Sequence, residues 1–62
     1  MRTYSAVDAN KCYAMLRRAR DFFKDRGTRL YFDGDVEKSE VYREKEAAMS
    51  HAMSVLVKEF DL

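Results

Sequence analysis

The residues best suited to nucleophilic chemistry in this sequence are its single cysteine and its single histidine, Cys12 and His51. Nucleophilic catalysis needs an activated thiol or hydroxyl, a base within hydrogen-bond reach and a group that orients the base. Helical periodicity places Cys12 in an apolar stripe and His51 on the polar side of a second helix, so the two side chains are not expected to meet. We therefore predict a buried structural thiol that reacts slowly with thiol reagents, a solvated histidine and no catalytic residue.

Carboxylates near the middle of the chain raise the question of a metal site. Residues 33–44 place side-chain oxygens at several positions of a calcium-binding loop, but Lys38 occupies the position where that loop requires glycine. An ordinary turn that leads into an acidic helix start is therefore the better interpretation. One cysteine and one histidine also supply too few ligands for a structural zinc site. We expect neither a metal nor a cofactor.

Acid–base catalysis is the other chemistry that carboxylates suggest. Glu40, Glu44 and Glu46 lie on solvent-facing positions of the second predicted helix, interleaved with Arg43 and Lys45. No pocket-forming element surrounds them, and the sequence contains neither a glycine-rich phosphate loop nor a metalloprotease motif. We therefore predict that the protein is not an enzyme and takes no small-molecule substrate.

A basic face is the most distinctive surface that the sequence predicts. Tyr13, Arg17, Arg20 and Lys24 are spaced four, three and four residues apart, which aligns them on one side of a helix, opposite its apolar stripe, with Arg29 nearby. Arginine binds phosphate and carboxylate groups through a bidentate fork. Three interpretations remain open: binding to a partner protein, binding to a nucleic-acid backbone, or salt bridges to an acidic helix of the same chain.

These side chains are positioned by a first amphipathic helix, predicted at about residues 6–26. Ser5 or Asp8 can cap its start, and Gly27 is a natural stop after Arg26. Apolar residues at spacings of three and four form one broad stripe, as expected for a helix that buries one side. The stripe consists of Ala9, Cys12, Met15, Leu16, Ala19, Phe22 and Phe23.

A second helix is predicted at about residues 36–60, beginning near Asp35 or Ser39. Its main stripe consists of Tyr42, Met49, Ala52, Met53, Leu56 and Phe60. Val41, Ala48 and Val55 widen this stripe more than contact with a single helix requires. Between the helices we expect an extended connector, whose aromatic residues Tyr31 and Phe32 have strand propensity and would cover the open end of the hairpin.

Length and composition favour association with another chain. The 62 residues (7.3 kDa) form a single small helical domain, 1–62, and a chain of this size buries only about 60% of its unfolded surface. Apolar residues make up 47% of the chain, and no run of them approaches the ~20 residues of a membrane span. The lone thiol and the absence of a signal peptide at residues 1–4 lead us to expect a cytoplasmic location.

Charge is divided unequally between the two halves of the chain. Residues 1–30 carry eight cations against three anions, whereas residues 31–62 carry four cations against eight anions. The resulting balances of +5 and −4 sum to the net charge of +1. Such a separation favours an antiparallel or intersubunit arrangement in which charges select the register and the partner.

The predicted architecture is therefore an all-α, antiparallel two-helix hairpin that completes its core as a dimeric four-helix bundle. The self-contact is assigned to Leu16, Ala19, Phe23, Met49, Met53 and Leu56. In size and shape the hairpin is similar to small plasmid- or phage-encoded regulators that dimerise in this way, although no motif is shared.

The function predicted from these features is that of a small, non-enzymatic adaptor or inhibitor that acts by protein–protein binding as a homodimer. The partner contact is assigned to the charged face of the first helix and to the connector aromatics. These residues are Tyr13, Arg17, Arg20, Lys24, Arg29, Tyr31 and Phe32. The alternative is a nucleic-acid-binding regulator that uses the same basic face.

Overall fold

Two long helices account for almost all of the structure, a computed structural model that describes residues 5–62 apart from the side chain of Ala6. Helix α1 spans Ala6–Phe32 and helix α2 spans Val36–Phe60. They pack against each other as a hairpin measuring 47 × 20 × 13 Å. The predicted all-α, two-helix hairpin is therefore confirmed.

Helix α1 begins with a capping box. The side chain of Ser5 accepts a hydrogen bond from the backbone N–H of Asp8 at 3.2 Å, and the carboxylate of Asp8 accepts one from the backbone N–H of Ser5 at 3.4 Å. Both residues that the sequence offered as caps thus act together, one as the N-cap and the other three positions later. The pair satisfies backbone donors that the first helical turn leaves unbonded.

The turn between the helices is three residues long, so the prediction of an extended connector is wrong. Gly34 has φ +89° and lies just beyond the end of α1. Its N–H donates to the carbonyl of Tyr31 at 3.1 Å, and the N–H of Asp35 donates to the carbonyl of Leu30 at 2.9 Å. These two bonds define a Schellman motif, for which glycine is favoured because it has no Cβ. Asp35 then caps α2 by accepting a hydrogen bond from the N–H of Lys38.

The prediction that Gly27 ends the first helix is wrong. Gly27 lies buried inside α1, where the two helices approach closely. The hydroxyl of Ser39, itself 2% exposed, donates a hydrogen bond of 2.9 Å to the carbonyl of Gly27. Glycine is a poor helix former in mid-helix, and packing against α2 together with this bond offsets that cost at Gly27. The bond fixes one point of the helix–helix register.

A narrow seam of residues spaced alternately three and four apart joins the helices, the pattern of a coiled coil. On α1 the seam consists of Ala9, Tyr13, Leu16, Arg20, Phe23, Gly27 and Leu30. On α2 it consists of Ser39, Tyr42, Glu46, Met49, Met53, Leu56 and Phe60. All of these are buried or half-buried, and the rings of Phe23 and Tyr42 contact each other across the seam with centroids 6.0 Å apart.

The core that this seam creates is small. Among the described residues, the buried apolar side chains are Ala9 at 0% and Met53 at 4% exposure, and no large side chain is fully buried. Most apolar side chains of the hairpin are half-buried or exposed. Two helices in a single layer therefore leave much apolar surface in contact with solvent.

Replacing Gly27 by alanine is expected to stabilise the hairpin. An added Cβ would lie 3.4 Å from the Cβ of Tyr42 and 3.5 Å from the carbonyl oxygen of Ser39, which are ordinary contact distances. Alanine lowers the entropic cost of forming a helix, so the free energy of unfolding should rise by about 0.5–1 kcal/mol. Urea denaturation followed by circular dichroism measures this change.

The other glycine provides the control for this prediction. Gly34→Ala should destabilise the hairpin by about 1–2 kcal/mol, because an L-residue is strained at its positive φ. If both substitutions were destabilising, the approach of the helices at Gly27 would be too tight for a methyl group.

Candidate binding faces

The hairpin is a single layer of two helices, so it has two broad sides that flank the seam. One side holds an open groove of about 570 Å³ between the helices, at the end away from the turn. We call this side of the hairpin the apolar face. The residues that line its groove are Cys12, Met15, Leu16, Ala52, Val55, Leu56 and Phe60. Every one of these side chains is apolar or a thiol, so the groove is suited to apolar ligand groups rather than to charged ones.

Several large apolar side chains in or near this groove are exposed to solvent. Met15 is 69% exposed, and Phe22, seven residues further along α1, is 55% exposed. The prediction that both belong to the buried stripe is therefore wrong, since helical phase places them on the flank of the seam. Val55 is 43% exposed and Val41 is 49% exposed, which agrees with the surplus width predicted for the α2 stripe.

Towards the turn, cations cover the aromatic surface on the flank of the seam. The ammonium group of Lys45 lies 5.7 Å from the ring centroid of Phe23 and 5.0 Å from that of Tyr42. The guanidinium group of Arg26 lies 5.6 Å from the ring centroid of Phe22. Cation–π contacts of this kind shield apolar rings from water. These two cations lie nearer the turn, whereas the open groove lies at the other end of the hairpin.

The residues predicted for self-association occupy three kinds of position, and all but Ala19 belong to the seam. Leu16 and Leu56 line the apolar face, where a second chain could reach them. Met53 is buried in the seam, and Phe23 and Met49 are half-buried seam residues. Ala19 is half-buried on the flank of the seam. The seam residues thus serve the contact between α1 and α2 of one chain.

The opposite side of the hairpin, which we call the polar face, carries two shallow depressions in line along the seam. One has a volume of about 360 Å³ and is lined by Tyr13, Arg20, Ser50, Met53, Ser54, Val57 and Lys58. The other has a volume of about 320 Å³ and is lined by Lys24, Gly27, Thr28, Tyr31, Ser39, Arg43 and Glu46. Both helices therefore contribute cations to this side.

The predicted partner-binding residues are only partly gathered on this face. Tyr13 and Arg20 are half-buried at the seam, so their predicted position on the side of α1 opposite the helix contact is wrong. Lys24 and Tyr31 also line the depressions, whereas Arg17 and Arg29 are exposed and line neither of them.

The aromatic residues at the end of α1 do not cover the hairpin. Tyr31 is 59% exposed and Phe32 is 80% exposed, and their rings contact each other edge to face with centroids 5.9 Å apart. The prediction that they close its open end is wrong, because they continue the last turn of α1 and point outward from it.

The polar face also contains cations that the sequence did not single out. Arg43 and Lys58 belong to the acidic half of the chain, yet both line the depressions beside the basic residues of α1. The ion pairs Arg20–Asp21, Arg29–Asp25 and Lys38–Asp35 each join neighbours along the chain. None of these three pairs links the two helices, so they do not balance basic α1 against acidic α2.

The candidate catalytic and metal-binding residues are not brought together. Cys12 is half-buried on the apolar face rather than fully buried as predicted, whereas His51 is exposed and does not line that face. Within residues 5–62, no group of three or more histidine, cysteine and acidic side chains is placed to hold a metal ion. The residues that resembled a calcium loop instead form the turn and the cap of α2.

Neither helix, over the part of the chain that the structure describes, combines the length and apolar character needed to cross a membrane. Comparison of the chain with models of protein families, with curated proteins and with solved structures finds no match. The two faces of the hairpin are therefore the basis for assigning a function.

Proposed function

We propose that this protein is a small, non-enzymatic adaptor or inhibitor that forms a homodimer through its apolar face and binds another protein. The observation that supports this proposal is the open groove of about 570 Å³ lined by apolar side chains. An apolar groove with exposed apolar side chains beside it is a feature of sites where one protein contacts another. A second copy of the chain is the proposed occupant of the groove.

The shape of the apolar face favours a second copy because it combines a depression with protruding side chains. Met15 and Val55 line the groove and are also 69% and 43% exposed. In a two-fold symmetric dimer the same patch meets itself, so these side chains of one copy would fill the groove of the other. A second copy alone would therefore cover the apolar face from solvent, without a different partner protein.

The broad side of the hairpin that carries the groove is large enough to stack on a second hairpin. It measures 47 by 20 Å, an outline of the same order as the ~800 Å² that each partner buries in a standard interface, and the apolar groove occupies the part of it away from the turn. Two hairpins stacked in this way form a four-helix bundle. The small core of each hairpin would then be one half of a larger shared core.

Sedimentation and thiol reactivity together test this proposal. With increasing protein concentration, the mass should rise from 7.3 kDa to twice that value. The reaction rate of Cys12 with a thiol reagent should fall in parallel, because Cys12 lines the face that the second copy covers. Urea-unfolded protein supplies the reference rate of the unprotected thiol.

A mass that remains at 7.3 kDa at high micromolar concentration, with a constant thiol rate, would refute self-association. A rising mass without thiol protection would place the dimer contact elsewhere on the hairpin. The paired measurement therefore tests both the existence and the location of the interface.

Binding of nucleic acid is the second candidate function. It is favoured by the finding that α2 adds Arg43 and Lys58 to the side of the hairpin that carries Arg20 and Lys24. Cations on both sides of a groove can contact a phosphate backbone, and such binding weakens steeply with salt. Fluorescence anisotropy with duplex DNA and structured RNA tests this function, and an absence of binding even at low salt eliminates it.

A further inference from the structure

The polar face has a floor of small or apolar groups between two charged edges. Arg20 and Lys24 of α1 form one edge, and Arg43 and Lys58 of α2 form the other. Glu46 is the acidic residue among those that line the two depressions. The face thus has a local excess of positive charge although the whole chain carries only +1.

Three of the hydroxyl groups that line the polar face are already hydrogen-bonded within the hairpin. Thr28 donates to the carbonyl of Lys24 at 2.9 Å, and Ser54 donates to the carbonyl of Ser50 at 3.1 Å. Ser39 donates to the carbonyl of Gly27. A ligand therefore need not supply hydrogen-bond acceptors for these donors, and the floor can accept small apolar groups.

We propose that the polar face docks an acidic amphipathic helix of a partner protein, which packs as a third helix along the seam. Its apolar stripe would contact the floor, including Met53 and Val57, while carboxylates on both flanks of the stripe would pair with the cations at the two edges. Charges that flank an apolar stripe determine partner choice in coiled coils in the same way. This inference rests on the proposed protein-binding function and supplies the chemistry of the partner.

A partner helix fits this face better than nucleic acid does. Exposed carboxylates lie just outside the cationic edges, with Asp21 paired to Arg20 at 3.1 Å and with Glu40 and Glu44 beside Arg43. A duplex is wide enough to approach these carboxylates, which would repel its phosphates. A single helix lying along the polar face between the two edges contacts the cations without reaching the carboxylates outside them.

The length of the face suits a helix of ordinary size. Tyr13 and Tyr31 line opposite ends of the two depressions and lie 18 positions apart on α1, which corresponds to about 27 Å at the helical rise. In the proposed dimer the apolar faces meet, so the polar faces point outward on opposite sides. Each dimer would then bind two acidic helices and could link two partner molecules.

Two synthetic helical peptides test this inference by fluorescence anisotropy. Both carry a leucine stripe, which is flanked by glutamate in one peptide and by lysine in the other. The glutamate peptide should bind the wild-type protein at least about tenfold more tightly than the lysine peptide, with an affinity that falls as salt increases. A short single-stranded DNA and a duplex DNA serve as competing ligands.

Variants of the protein locate the binding site. Lys24→Glu should weaken binding of the glutamate peptide about tenfold, whereas Lys11→Glu, the same charge change at an exposed position outside both depressions, should change it less than about twofold. Circular dichroism checks that each variant retains its helices.

Equal affinity for the two peptides, no binding of either, or tighter binding of DNA than of the glutamate peptide would overturn the inference. Equal losses for Lys24→Glu and Lys11→Glu would do so as well. Sedimentation of the same samples separates this inference from the dimer proposal, since a dimer that does not bind the peptide contradicts only the acidic-helix site. A monomer that binds the peptide contradicts only self-association.

Discussion

Val55→Glu is expected to convert the proposed dimer into a folded monomer, weakening self-association at least about a hundredfold. Val55 lines the apolar groove and is 43% exposed in the single hairpin, so a glutamate there remains solvated while the chain is monomeric. In the dimer the carboxylate would be buried against apolar side chains, twice per dimer because of the symmetry. Sedimentation measures the dissociation constant, and circular dichroism shows that the helices persist.

Val57→Glu is the matched control for this prediction. Val57 is 39% exposed, lies two residues away on the same helix and lines the polar face instead. This variant should dimerise like the wild type, and the added carboxylate should weaken binding of the glutamate peptide. If Val55→Glu and Val57→Glu dissociated equally, the dimer contact would not be specific to the apolar face.

Met53→Ala is expected to cost about 2–5 kcal/mol of folding free energy, the usual range for removing most of a buried methionine side chain. Met53 is 4% exposed and lies in the seam, where it is the larger of the two buried apolar side chains among the described residues. A domain of this size has little stability to lose, so much of the variant should be unfolded at room temperature. Urea denaturation at fixed protein concentration measures the change.

Met53→Leu is the control that changes the side chain but keeps most of its volume. Leucine fills a similar volume, so this variant should lose less than about 1.5 kcal/mol. A loss below about 1 kcal/mol for Met53→Ala would show that the seam closes over the missing atoms more completely than packed cores usually do.

The sequence was sufficient to predict two amphipathic helices but not where the first one ends. Gly27 was predicted as the stop, whereas α1 continues to Phe32, two residues before Gly34. The end of α1 depends on tertiary structure, because Gly27 is stabilised inside α1 by its close contact with Ser39. Gly34 is followed by Asp35, which caps α2, and this pairing of a stop with a cap was the available signal for the turn.

Each apolar stripe was predicted on roughly the side of its helix that faces the other helix, but its centre was displaced from the line of contact. A pattern that sorts residues only as apolar or polar assigned Met15 and Phe22 to the core and excluded Arg20 and Glu46. The contact between two helices is narrow, so a long polar side chain at a seam position can pack its stem against the other helix and extend its charged group to solvent at the side of the seam. An alternating three- and four-residue series can be drawn from any residue of a helix, so spacing alone does not identify the seam, and polar residues within it are found only from the packing.

The binding faces were less predictable than the helices because they combine residues from both halves of the chain. The basic face of α1 was visible in the sequence, but Arg43 and Lys58 join it only through the relative rotation of α2. That rotation is set by packing at the seam, which the charge pattern does not determine. Likewise, Val41, Ala48 and Val55 indicated a surplus of apolar surface without indicating which residues of α1 lie beside it.

The three-residue turn also affects how the hairpin assembles. Contacts beside the turn join residues that are close in sequence, whereas those near Ala9 and Phe60 close a loop of almost the whole chain, which costs more entropy. On this entropic ground alone we expect contacts beside the turn to form before those at the far end. The apolar groove lies at that far end. A second copy bound there would clamp the ends that the turn restrains least, so that association completes the folding of each chain.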